Sequence, residues 1–175
     1  MKTKLNQSKL KLAIVSAIVA GSMGLSATSH ASTETGSMVV STTVKMACSM
    51  TVGALTFLSY DTTSTADNTA QGTITSTCTS GGAAKITIGE GLGKHGDSSD
   101  AAPMRQMKSG SEVLAYDLYS DSTRSTEWGN TADTGLAITG TGSSVITHVY
   151  GKIPKSQTVT AFNNFEDTIS VTLTY

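Results

Sequence analysis

The chain has 175 residues, 12 Lys and Arg against 13 Asp and Glu, and two cysteines. A formal charge of −1 lacks the basic footprint that nucleic-acid binding requires, so nucleic acid is not an expected partner. Thr, Ser, Val and Gly dominate after the first 31 residues, and no stretch of twelve or more repeats apolar positions at helical spacing, which predicts an all-β protein.

In chain order, Lys2, Lys4, Lys9 and Lys11 precede an apolar run from Leu12 to Leu25, too short to span a bilayer comfortably. Ser29 and Ala31 supply the small residues of a cleavage site, so residues 1–31 read as a secretory signal peptide and the mature chain begins near Ser32. Losing four lysines leaves eight Lys and Arg against thirteen acids, a formal charge of −5 over 144 residues. That length suits a single domain with a hydrophobic core.

Residues 35–46 alternate next. Met38, Val40, Val44 and Met46, with Thr42 between them, face one side, while Ser37, Ser41, Thr43 and Lys45 mostly face the other. This segment precedes Cys48 and so lies outside any loop closed by the cysteines. Burying its four apolar side chains would contribute about 6–12 kcal/mol before ordering costs. The pattern fits equally an ordinary strand of the same domain and a strand inserted into the next copy, a head-to-tail contact that grows a filament. Cys48 and Cys78 follow, an even pair in an exported chain, and are read as one disulfide. They lack the spacing and neighbouring histidines of a zinc site.

Further alternation marks Ile86 and Ile88, then Leu114, Tyr116 and Leu118, and finally Ile169, Val171, Leu173 and Tyr175. Turn clusters at 80–82, 89–93, 96–100, 129–130 and 140–142 punctuate a sandwich of about seven strands, with long loops expected over 61–72 and 93–104. The last alternation runs to the final residue of the sequence, predicting a terminal strand with an unpaired edge and an apolar stripe beside it.

Candidate chemistry is thin. His95 sits in a Gly-rich stretch and His148 in an expected strand, neither in a catalytic motif. Glu90, Asp97 and Asp100 lack the ordered spacing and closing Glu of a calcium loop. Trp128, the single tryptophan, is expected to pack against the sandwich rather than serve as a sugar platform. Tyr116 and Tyr119 are an odd number of positions apart, so on one regular strand they point to opposite faces, which allows one to be core and the other exposed. No catalytic residue, cofactor or metal is assigned, and the chain reads as a non-enzyme.

An ordered set of residues then carries a resemblance. It runs through Cys48, Phe57, Tyr60-Asp61, Gly72-Thr73-Ile74, Cys78-Thr79, Arg105 and Met107, and is densest at Leu114-Ala115-Tyr116-Asp117-Leu118-Tyr119-Ser120-Asp121. Arg124, Trp128-Gly129, Tyr150 to Pro154 and Asp167 to Tyr175 complete it. The set resembles the spore coat protein U domain family, shared by subunits of archaic chaperone–usher pili. Leu58 and Asn164-Phe165 depart from it, where Gly and a Gly-Tyr pair are expected.

The resemblance implies an incomplete immunoglobulin-like β-sandwich that lacks its final strand. A periplasmic chaperone supplies that strand temporarily, and the extension of the next subunit replaces it at the outer-membrane usher. On this reading residues 32–47 are the donor-strand extension, with Met38, Val40, Thr42, Val44 and Met46 as the inserted face, and 48–175 are the pilin domain. Ile169, Val171, Leu173 and Tyr175 line the acceptor groove, with the Tyr175 carboxylate as an anchor for a basic chaperone residue. The expected product is an extracellular fibre supporting attachment or biofilm formation. The rival is a secreted, self-contained binding or coat-forming sandwich whose residues 35–46 complete its own sheet.

Overall fold

The computed structural model describes residues 30–160 and 164–175. The expected signal peptide therefore lies almost wholly outside the described residues. The chain divides into two units, Met1–Ser41 and Thr42–Tyr175. In the first, residues 30–41 form no strand and are exposed throughout.

The second unit carries eight strands: β1 (Cys48–Val52), β2 (Asn68–Cys78), β3 (Ala83–Ile88), β4 (Arg105–Ser109), β5 (Glu112–Tyr119), β6 (Leu136–Thr139), β7 (Ser144–Ile153) and β8 (Val171–Thr174). They form a five-stranded sheet ordered β1-β2-β7-β5-β4 and a three-stranded sheet ordered β6-β3-β8. Every pairing is antiparallel. No described residue is helical, as the composition predicts, and the two sheets pack as a sandwich around one core.

The alternating runs of β3 and β5 supply that core. Ile86 and Ile88 of the small sheet meet Ile74, Leu114, Tyr116, Leu118, Val149 and Ile153 of the large one, with Trp128 between them. Trp128 is fully buried and its indole N–H donates to the Ile86 carbonyl at 2.9 Å, so the core placement expected for it holds.

Residues 68–72, read above as loop, are the first half of β2. Asn-Thr-Ala-Gln-Gly offers no apolar alternation, and its strand character comes from pairing: Asn68 to Gly72 oppose Ile153 to Val149 of β7. Tyr116 joins the core cluster and Tyr119 does not, but the exposure expected for one of them needs correction, because both are buried. Tyr119 leaves the main core but is covered where the chain returns at Glu127 to bridge it, and Lys152 Nζ lies 5.0 Å from its ring centroid.

One charged side chain joins the sheets. Arg105 of β4 is 1% exposed. Its Nε donates to the Gly89 carbonyl at 2.8 Å, and its Nη2 donates to the carbonyls of Ile88 at 2.9 Å and Trp128 at 2.6 Å. Burial pushes its pKa down, yet a guanidinium stays protonated in a protein. The charge is thus spent on three buried carbonyls, two where β3 ends and one at Trp128.

Cys48 and Cys78 form the expected disulfide across the first rung of the β1–β2 ladder, 30 residues apart in sequence. In the chain-entropy picture, closing a loop of that size contributes roughly 3–4 kcal/mol. Thermal unfolding of the mature chain with and without a reductant should show a loss of that order.

Arg105→Met would strip a donor from three buried carbonyls, each costing about 1–3 kcal/mol. A destabilisation of at least about 3 kcal/mol is therefore expected, read from the urea midpoint of the mature chain at unchanged slope.

Candidate functional site

The feature that stands out is an edge. β8 pairs with β3 along one side only, Val171 to Thr174 opposite Ile88 to Lys85, and lies at the margin of the small sheet. β1 likewise pairs with β2 alone and lies at the margin of the large sheet. The two margins fall on the same side of the sandwich, since β1 and β8 approach within 8 Å between Cα atoms. Two sheet margins with unpaired backbone groups thus flank one seam of the core.

The side chains along this seam are apolar and half covered. Ile169, Val171 and Leu173 point inward against the core, while Ser170, Thr172 and Thr174 face out and are exposed. Met50 of β1, on the opposite flank, also packs on the core and is half covered, as are Leu55 and Phe57, which lie over β7. Leu55 and Phe57 reach inward because Gly151 leaves room. A Cβ there would fall 2.7 Å from Phe57 Cζ. Tyr175, expected as the last groove residue, is 60% exposed, so the half-buried row consists of Ile169, Val171 and Leu173.

On the opposite side of the sandwich the chain itself closes the gap. Glu166 exchanges both backbone hydrogen bonds with Lys108 of β4, at 2.9 and 3.1 Å, before the chain crosses to the small sheet as β8. The crossing is fixed by Asp167. Its Oδ1 accepts from the backbone N–H of Gly93 at 2.9 Å and of Thr168 at 2.8 Å, and its Oδ2 accepts from the Tyr116 hydroxyl at 2.7 Å. Gly91 is required beside it, with φ of 86° and a position at which a Cβ would collide with Asp167 Oδ2. Asp167 entered the family pattern without a reason, and Tyr116 only as part of an alternating run; together they set where β8 begins.

The expected donor residues behave as two groups. Met38 and Val40 are 86% and 87% exposed, and Val44 is 78% exposed. Residues 38–46 show the alternation of a strand yet form none here, having no partner ladder among the described residues. Met46 differs. It is half-buried and lies over Gly82 of its own domain, where a Cβ would fall 2.8 Å from Met46 Cε. Ala47 is pinned as well: it accepts from the Thr79 N–H at 3.0 Å, and its own N–H donates to Thr79 Oγ1 at 3.0 Å.

The remaining candidates do not assemble into a chemical site. Among the described residues, no group of three or more His, Cys, Asp or Glu is placed to hold a metal. His148 lies against Gln71 on the outer face of the large sheet and His95 in the loop before β4, on separate elements and without a common partner.

An antiparallel sandwich of five and three strands with one open seam is an immunoglobulin-like fold short of a strand. The Spore Coat Protein U domain model matches residues 34–172, and the chain belongs to that family. It is 34% identical over 177 residues to Protein U of Myxococcus xanthus, covering 95% of this chain and 98% of that one. A solved structure with the same fold is the CsuC–CsuE chaperone–tip adhesion subunit pre-assembly complex from archaic chaperone-usher Csu pili of Acinetobacter baumannii. The TM-score is 0.55 at 17% identity, over 76% of this chain and 40% of that one.

Burial and the hydrogen bond to Asp167 both push the Tyr116 hydroxyl above the ordinary tyrosine pKa. A raised folded-state value stabilises the neutral form, so this contribution is complete below about pH 10 and is lost as pH rises beyond it. The thermal midpoint should fall on alkalinisation above about pH 10, less steeply in Tyr116→Phe. Burial also raises Tyr119, so part of the slope should survive in that variant.

Proposed function

We propose that this chain is a structural subunit of an extracellular chaperone–usher pilus and polymerises by donor-strand complementation. Residues 38–44 of one copy enter the seam between β1 and β8 of the next. The observation that carries this is the pairing of two incomplete features in one chain: an open apolar seam lined by Ile169, Val171 and Leu173, and an exposed alternating segment without a ladder. Each lacks what the other offers, which is the physical content of strand addition.

Export follows the same logic. The leader expected at residues 1–31 and the Cys48–Cys78 disulfide both support folding in an oxidising compartment outside the cytoplasm. An open seam there needs a temporary cover, the task of a periplasmic chaperone, with an outer-membrane usher as the place of exchange. Fibre formation then serves surface attachment and biofilm formation. The seam and the extension are interaction surfaces, and no enzyme activity is assigned to them. Among the described residues no helix is long and apolar enough to cross a membrane.

The family's description as a spore coat domain favours a second reading, a coat-forming or binding sandwich completed by its own residues 35–46. The two differ in whether complementation works between molecules. A donor-dead variant, Val40→Asp with Val44→Asp, keeps the seam; a groove-dead variant, Val171→Asp with Leu173→Asp, keeps the donor. A peptide of residues 35–46 at a hundredfold excess over its dissociation constant should stabilise the donor-dead chain by about 2.7 kcal/mol, seen as a rise of its thermal midpoint. It should leave the groove-dead chain unchanged. An unaltered chain that stays monomeric and stable at every concentration, with its own residues 35–46 filling the seam, would favour the self-contained module.

A further inference from the structure

The pinning of Met46 and Ala47 has a geometric consequence. This step rests on the donor-strand reading above. If Val44 is the last residue inserted into a neighbour and Met46 is already seated on its own domain, Lys45 alone bridges the two. Two residue steps span at most about 7 Å. Successive domains therefore cannot hang as beads on a tether; their ends must touch.

Strand directions identify which ends. The donor leaves its own domain beside the disulfide, at the end that carries the turn at 79–82 and the turn at 140–143, which are joined by Gly81 N–H to Gly140 carbonyl at 2.8 Å and Gly140 N–H to Gly82 carbonyl at 2.7 Å. β8 runs toward that same end, because Thr174 opposes Lys85 near the start of β3 while Val171 opposes Ile88. A neighbour's seam entered at its disulfide end would meet that neighbour's own Met46, Ala47 and departing extension. Entry from the opposite end avoids this collision, and the donor then runs antiparallel to β8.

That opposite end is shaped for contact. Gly89 to Leu92 and Thr168 to Ser170 border a depression of about 370 Å³ at the start of β8. Leu92 stands beside it 83% exposed, a large apolar side chain in solvent. Asp100, which accepts from Asn130 Nδ2 at 2.8 Å, and the Lys94–Glu90 ion pair line the same depression, so it offers polar groups of both signs around the exposed Leu92.

We infer that the disulfide end of one copy, around Ser80 to Gly82 and Lys45, docks on the Leu92 depression of the next. This forms a second subunit interface, separate from the inserted strand, that fixes the angle between successive domains. Its occupant is a second copy of this chain, set by the one-residue linker.

The test is cross-linking of assembled mature chain carrying Ser80→Cys with Leu92→Cys, treated with a short bismaleimide. The account expects a ladder of covalent multimers from the double variant and none from either single variant. Inserting six Gly and Ser residues between Lys45 and Met46 should abolish the ladder while polymer still forms. Polymer without a ladder in the double variant would overturn the interface and leave strand exchange standing. Failure of the unaltered chain to form any polymer would remove strand exchange, and this interface with it.

Discussion

A sheet of five strands cannot be covered by a sheet of three, and most of the architecture follows from that mismatch. The large sheet presents Ile74, Val149, Ile153 and the inward face of β5, while the small one has three strands to set against them. On one side the chain makes up the difference itself, pairing Glu166 with β4 before crossing over as β8. On the other side two strand margins stand open, with a row of half-buried apolar residues between them. Hydrophobic burial of roughly 25 cal/mol per Å² makes such a seam a standing source of binding energy for any extended apolar segment that fits it.

A sandwich with an open seam must hold its shape without a strand there, and the polar interior explains how. Arg105 bonds to three carbonyls where β3 ends, Trp128 bonds to Ile86 in the middle of the same strand, and Asp167 collects Tyr116, Gly93 and Thr168 where β8 starts. These bonds run between sheets or along the crossing, and none depends on a strand in the seam. Buried hydrogen bonds of this kind fix geometry as well as contributing stability. The disulfide does the same for β1, locking its first residue to the end of β2. The seam is therefore bordered by strands whose positions are set from elsewhere.

How much of this was legible in the sequence depended on whether a residue's neighbours are local. Ile86 with Ile88, and Leu114 with Tyr116 and Leu118, alternate because one face is buried, so β3 and β5 were readable, as was the row from Ile169 to Leu173. The first half of β2 was not, because its strand character comes from register with β7 rather than from its own side chains. Tyr119 was misplaced for a related reason: its cover is the chain returning at Glu127, which no periodicity announces. Arg105 and Asp167 entered through family resemblance alone, since a charged residue beside apolar ones looks the same in a solvated loop and in a core. For the candidate site, alternation gave residues 38–46 a strand pattern that forms no strand within this chain, and pattern did not show that Met46 packs on its own domain. That distinction depends on Gly82, 36 positions further along the chain.

The central claim is that the seam beside β8 is filled by residues 38–44 of another molecule, and backbone hydrogen exchange tests it most directly. In dilute monomer the amides of residues 38–44 should exchange freely and those of β8 with only partial protection. On assembly both segments should become protected together, to the level of the core strands. Strong protection of both segments already present in the monomer, independent of concentration, would contradict intermolecular completion. Assembled material in which residues 38–44 still exchange freely would contradict it equally.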